Sequence, residues 1–198
     1  MNVLRQATIA ILIVVCTCSC SKEALSPLSP GSEQSVTNAI GVTVIHHLGD
    51  AYGGGYIFYL DSTKQHGLIA APVNQSPKDN ITWCDGKYVI TKATDTAYGA
   101  GLANTQKIVN KLGTTGNYAA LLCVNYRAGG YTDWFLPSKD ELFKMSHAQK
   151  YVPEITGGNY WSSTETDFQK AWIVHFHRSL VGSVNKGGFY HVRAVRAF

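Results

Sequence analysis

The chain has 198 residues, 45% of them hydrophobic and 11% aromatic, enough for one buried core and too much for wholesale disorder. Charged residues make up only 15%, and a formal charge of +4 is too dilute to argue for nucleic-acid binding. Gly, Tyr, Asn, Ser and Thr are plentiful, which predicts a polar, weakly charged surface with many loops, as in exported β-rich domains.

Arg5 is the first charge and Lys22 the next, and between them residues 7–15 form an apolar run of signal-peptide length. That run is too short to span a bilayer as a helix. It leads into Cys16-Thr17-Cys18-Ser19-Cys20, and a small residue before a cysteine at such a place resembles the lipobox of bacterial lipoproteins. Residues 1–19 are therefore expected to be a lipoprotein signal peptide, cleaved before Cys20 so that its thiol carries lipid; Cys18 is the alternative. Residues 20–40, rich in Ser and Pro and poor in aromatics, read as a flexible tether. The expected location is the bacterial cell envelope, lipid-anchored at the outer membrane or cell surface. Residues 41–198 are the working domain.

Within that domain, residues 41–48 are β-branched and predict a strand, followed by strands at 56–60 and 67–71 that form a hairpin. Leu102, Ile108, Val109 and Leu112 recur at helical spacing and predict a helix over 101–112, closed by Gly113. Residues 118–126 predict a second, mostly buried helix. Ser138 and Glu141 after Pro137 form a capping box that opens a short helix at 139–147. Strands are expected again at 171–177, 180–184 and 189–198. Alternation places Trp172, Val174 and Phe176 on one face of the first of these, and Ile173, His175 and His177 on the other. Strands at both ends with helices between them indicate an α+β fold whose terminal strands can pair.

Large apolar area assigns Trp134, Leu136, Trp161 and Trp172 to the core. The glycines at 53–55 and 129–130 are expected to serve positive φ or close backbone approach. Four segments carry a family resemblance: 50–59 (DAYGGGYIFY), 129–142 (GGYTDWFLPSKDEL), 160–163 (YWSS) and 192–198 (VRAVRAF). In this order they resemble the Lcl C-terminal-like family, a bacterial extracellular group, over roughly residues 49–198. The resemblance implies a C-type lectin-like fold with antiparallel strands, two main helices and paired termini. It also implies a surface protein, since the best-understood use of the family is adhesion through sulfated glycosaminoglycans.

Catalytic readings find little support. Cys84 follows Trp83 in a strand-like stretch and Cys123 lies in an apolar helix, so neither looks activated. No Gly-x-Ser-x-Gly or His-Glu-x-x-His motif is present, and the acid pair Asp140 and Glu141 is explained by the helix cap. The Trp-Asn-Asp run of calcium-dependent lectins is absent around Asp133. His175, His177 and His191 are weighed as zinc ligands and set aside for want of a supporting pattern. No catalytic residue, cofactor or metal is expected. In an exported compartment Cys84 and Cys123 are the candidate disulfide, closing a loop of about forty residues with ~3–4 kcal/mol of chain entropy.

Charge distribution carries the functional expectation. After Asp167 the chain holds Lys170, Arg178, Lys186, Arg193 and Arg196 with no acid, together with His175, His177, His191 and Tyr190. Spaced cations with an aromatic suit a sulfated or carboxylated polysaccharide. Arg178 and Lys186 lie beside turn residues and are the expected contacts, with Lys170, His175, His177 and Tyr190 around them, while Arg193 and Arg196 fit inside the sheet. The histidines add charge only when protonated, which predicts binding that strengthens as pH falls through about 6.5. The reading is a non-catalytic, surface-anchored adhesin-like module for anionic glycan or host matrix, touching membrane through its lipid alone. Self-association is left open. The alternative is a structural or assembly subunit of the envelope that contacts protein, with a metal-dependent hydrolase third.

Overall fold

A computed structural model describes residues 44–76 and 81–198. The expected signal peptide (1–19), the expected lipidation site at Cys20 and the expected tether (20–40) fall outside the described residues. Among the described residues the domain is α+β, with two antiparallel sheets and three α-helices. The first sheet has the order β1 (Ala51–Tyr52), β2 (Gly55–Leu60), β3 (Gly67–Ala70) and β7 (Val195–Ala197), so the last strand pairs with an early one. The second sheet is the meander β4 (Asn159–Glu165), β5 (Lys170–His175) and β6 (Leu180–Asn185). Between the sheets in sequence lie α1 (Gly101–Leu112), α2 (Ala119–Asn125) and α3 (Lys139–His147).

The helices follow their local signals. α1 ends where Gly113 takes φ 95° and donates its N–H to Val109. In α3 the Ser138 hydroxyl accepts from Glu141 N while the Glu141 carboxylate accepts from Ser138 N, which completes the capping box. That carboxylate is buried and takes a second bond from Gly99 N at 2.8 Å, so the cap also ties down the loop before α1. Burial pushes the Glu141 carboxyl above the usual carboxylate range despite these bonds.

Strands buried on both faces divide the interior in two. Neighbouring residues on a strand point to opposite sides. Ile57, Ile69 and Ile173 join a cluster with Trp83, Ile108, Tyr118, Trp134 and Trp161. Their neighbours Phe58, Leu68 and Val174 join a second cluster with Phe135, Leu142, Met145 and Phe176 beneath α3. β4 is buried over Tyr160–Glu165 and bulges between Trp161 and Glu165, where its hydroxyls reach surrounding chain. Ser162 Oγ donates to Trp172 O at 2.8 Å, and Thr164 Oγ1 donates to Asp95 O at 3.0 Å.

The glycine-rich motifs meet each other. A Cβ on Gly54 would stand 2.6 Å from Ala128 O, and one on Gly129 would stand 2.5 Å from Gly54 Cα. Only a backbone without side chains permits that approach.

Four expectations are corrected. Residues 44–50 form a loop rather than a strand, leaving Val44 and Ile45 exposed with no ladder to join. The closing strand shortens to Val195–Ala197, because residues 189–194 instead bond to the start of β4 and to several loops. Trp172 is only half-buried, with Lys139 Nζ 5.5 Å from its ring centroid. Cys84 and Cys123 are free thiols rather than a disulfide. Both pack as small hydrophobes in the Trp83 cluster, and burial pushes both thiols up.

Candidate functional site

The acid-free C-terminal stretch does not make one cationic face. Lys170 and Arg178 are exposed, whereas Lys186, Arg193 and Arg196 are buried. Lys170 opens β5 and Arg178 lies in the turn beyond it, with ~17 Å of strand between Lys170 and His175 at ~3.3 Å per residue. The His175 ring is half-buried and bonds through Nδ1 to Phe176 O, while His177 is exposed in the turn with φ 57°. Tyr190 is half-buried and meets Trp161 edge-on at 4.9 Å. His191 stacks on Tyr160, and among the described residues no three His, Cys, Asp or Glu side chains gather as a metal site.

Lys186, expected at the surface, is fully buried. Its Nζ donates to Glu165 Oε2 at 2.7 Å and to Val89 O at 3.1 Å, and it stands 4.5 Å from the Trp83 ring centroid. Glu165 also accepts from Thr91 N, from Thr91 Oγ1 at 3.0 Å and from Lys92 N at 3.1 Å. The chain turns inward after β6, where Trp83 N donates to Lys186 O at 2.9 Å, so the ammonium enters the core and neutralises a buried carboxylate. Arg193 and Arg196 lie inside the fold as expected. Arg193 donates to the carbonyls of Ala71 (2.7 Å) and Glu154 (2.6 Å) and to Asn74 Oδ1 (2.9 Å). Arg196 grips Asp133 with two bonds, at 2.8 and 2.9 Å, and its guanidinium lies 3.7 Å from the Tyr131 centroid. That pair holds the Asp133 carboxyl below the usual carboxylate range.

A cleft of about 630 Å³ opens on another side of the domain, a size suited to a small molecule or one unit of a longer chain. Its walls are the loop at His46, His47 and Leu48, the end of β2 from Phe58 to Leu60 with Asp61 and Lys64 in the hairpin connection, and Lys144, His147, Ala148 and Tyr151 at the end of α3 and just beyond. Its formal charges are the ammoniums of Lys64 and Lys144 against the carboxylate of Asp61, with three imidazoles beside them. Phe58, Leu48 and Leu60 supply the apolar surface.

Local structure fixes these groups. Asp61 accepts from Thr63 N at 2.9 Å and from Thr63 Oγ1 at 2.6 Å, an arrangement that shapes the hairpin turn and lowers the Asp61 carboxyl. His46 donates its backbone N–H to Lys64 O at 3.2 Å and packs its ring on Tyr52 (4.4 Å) and Phe198 (5.1 Å), joining the loop to the hairpin. His147 Nδ1 lies 3.0 Å from Phe143 O; a carbonyl only accepts, so that nitrogen carries the proton. Lys144 Nζ stands 5.0 Å from the Tyr59 centroid, and the far end of that aromatic contact is Tyr98, 4.4 Å from Tyr59. Cations at the C-terminal end of α3 also suit its dipole.

These walls come from residues 46–64 and 144–151, so no short sequence pattern announces the cleft. The capping box located α3, and Lys144 and His147 three apart on one helical face were the readable part of the signal.

An α+β domain with two antiparallel sheets and an early strand paired to the last is the class this fold defines. The Lcl C-terminal domain family matches residues 74–196, and the chain belongs to that family. No curated protein matches the chain. The matched region includes all three helices, β4 to β6 and β7 as far as Arg196, so the cleft's α3 wall falls inside it and the wall at residues 46–64 precedes it.

Proposed function

We propose that this is a non-catalytic binding module with a C-type lectin-like fold, displayed on the bacterial cell envelope through a lipid on Cys20, that takes an acidic saccharide unit of an anionic glycan or host matrix. The observation that supports this most is the cleft, where two ammoniums and three imidazoles border an apolar, aromatic wall. Tyr59 and Tyr151 add aromatic wall against which the C–H surface of a sugar can pack, and Lys64 and Lys144 supply charge for its sulfate or carboxylate. Exposed cations are screened at a Debye length of about 8 Å in physiological salt, so useful affinity draws on repeated units and many copies of the domain.

Titration of the purified chain against heparin fragments, at low and physiological salt, tests the reading. Lys64→Ala/Lys144→Ala should weaken binding about tenfold or more, the equivalent of ~1.4 kcal/mol, while Lys170→Ala/Arg178→Ala leaves it within about twofold. The opposite ranking moves the site to the β5–β6 hairpin. Absence of salt-sensitive binding removes the glycan reading and favours the envelope-subunit alternative.

A further inference from the structure

We infer that β6 is a self-pairing edge, through which two copies of the chain join their second sheets into one antiparallel sheet. Exposed backbone on a sheet edge is a template for another strand, and proteins usually shorten, charge or cover such edges. The other edges here are managed in these ways. β1 is two residues long. β7 is covered by Phe135, which exchanges both backbone bonds with Val195 at 2.8 and 2.9 Å. The outer side of β4 donates from Trp161 to His191 O, from Ser163 to Pro137 O and from Glu165 to Ala93 O, at 2.9, 2.7 and 2.7 Å.

β6 has none of this protection among the described residues. Its sequence, LVGSVN, carries no charge and no proline over six residues. The bond from Lys186 N to Gln169 O at 2.8 Å sets the phase of its ladder with β5. Leu180, Gly182 and Val184 therefore turn their backbone groups towards β5, and Val181, Ser183 and Asn185 turn theirs outward. The Asn185 carbonyl is occupied by Gly188 N at 2.9 Å, and its side chain by Tyr88 OH at 2.8 Å. Val181 and Ser183 are left with open N–H and C=O groups. Leu180 is 59% exposed beside them.

The open groups select the occupant. They are placed symmetrically about Gly182, so β6 is complementary to itself in one antiparallel register. In that register Val181 faces Ser183 of the second copy and Ser183 faces its Val181, each pair exchanging two backbone bonds. Gly182 meets its own counterpart on the two-fold axis, as an isologous interface requires. Exposed Leu180 comes opposite the second copy's Val184, and no pair of exposed like charges is brought together. The neighbouring register centred on Ser183 would need the Asn185 carbonyl, which is already used.

Cysteine cross-linking of the full chain in detergent reads this register directly. Two Gly182 residues in a non-hydrogen-bonded pair stand with Cα atoms about 4.5 Å apart, within disulfide range. A Cβ at 182 meets Ile173 at 3.7 Å, an ordinary contact, so the substitution fits the fold. Under mild oxidant Gly182→Cys should give a covalent dimer on non-reducing gels, whereas the wild-type chain and Asn110→Cys, exposed on α1, should not. Adding Val181→Pro removes an N–H that the monomer does not use, and should cut the cross-linked fraction at least fivefold. The wild-type chain should sediment as a concentration-dependent dimer, and Val181→Pro as a monomer. A Gly182→Cys chain that cross-links no more than Asn110→Cys overturns the inference, as does cross-linking indifferent to Val181→Pro or a wild-type chain that stays monomeric.

Discussion

The C-terminal stretch and the cleft are furnished with the same cationic side chains, and the two regions use them in opposite ways. Lys186 and Arg193 are spent on buried acceptors and Arg196, itself buried, on the exposed carboxylate of Asp133, whereas Lys64 and Lys144 border open space. A run of cations without acids therefore reports little about surface potential. Each ammonium or guanidinium has to be asked which oxygens it reaches, because a buried carboxylate or a bundle of carbonyls elsewhere in the chain can claim it. The cleft, which no such run marks, holds the denser set of exposed positive groups.

The largest loss is expected at Lys186. Lys186→Met should cost about 3–5 kcal/mol, because it leaves the Glu165 carboxylate buried with its three neutral donors and no countercharge. Lys186→Met/Glu165→Gln should recover part of that loss, since no uncompensated charge remains. Urea unfolding of the three chains measures both. A cost for Lys186→Met below about 1 kcal/mol would place this side chain with the exposed cations after all.

Asp133 and Arg196 stand between the two extremes, with one partner buried and the other 53% exposed. The folded-state carboxyl lies below its unfolded value, so the pair contributes stability at pH above the unfolded value of about 3.9 and loses it as pH falls through the folded one. Glu141 runs the other way: burial raises its folded value, so its contribution favours the fold at low pH and is lost as pH rises through that value. Asp133→Asn should lower the urea midpoint at pH 5–7, by less than Lys186→Met does, because water screens the exposed carboxylate. The gap to wild type should close below pH about 4. A gap that persists unchanged into acid would mean that Asp133 acts by packing rather than by charge.

Much of the scaffold is legible locally. The capping box at Ser138 and Glu141 fixes α3, the apolar spacing with Gly113 fixes α1, and the two glycine motifs announce a close approach that proves to be with each other. The exposed turn at Arg178 and the inward course of Arg193 and Arg196 were also readable. Lys186 was not, because its partner lies on β4, on a strand buried on both faces whose pattern does not alternate. The cleft was hidden for a related reason: its walls are distant in sequence and each looks like an ordinary polar turn or helix end. Residues 44–48 show the limit of propensity, since β-branched residues make a strand only where a neighbouring strand offers its edge. Cys84 and Cys123 show the limit of compartment logic, since each already has an apolar place in the core.

The smallest expected effects belong to the exposed cations, and they close the comparison from the other side. Arg178 has no side-chain partner among the described residues, so Arg178→Ala should change stability by less than about 0.5 kcal/mol. Among the described residues the Lys144 ammonium meets the Tyr59 ring, at 5.0 Å, and a cation–π contact at an exposed site contributes about 0.5 kcal/mol, so Lys144→Ala should sit at the edge of detection. Salt separates the two further. High ionic strength should erase the small Lys144 effect and leave the Lys186→Met loss largely intact, because screening reaches solvent-exposed charges and hardly touches buried ones. Thermal unfolding at low and high salt measures this. If Lys144→Ala costs more than about 1 kcal/mol at high salt, its side chain is a structural member of the α3–β2 junction, and the contrast between inward and outward cations has to be redrawn there.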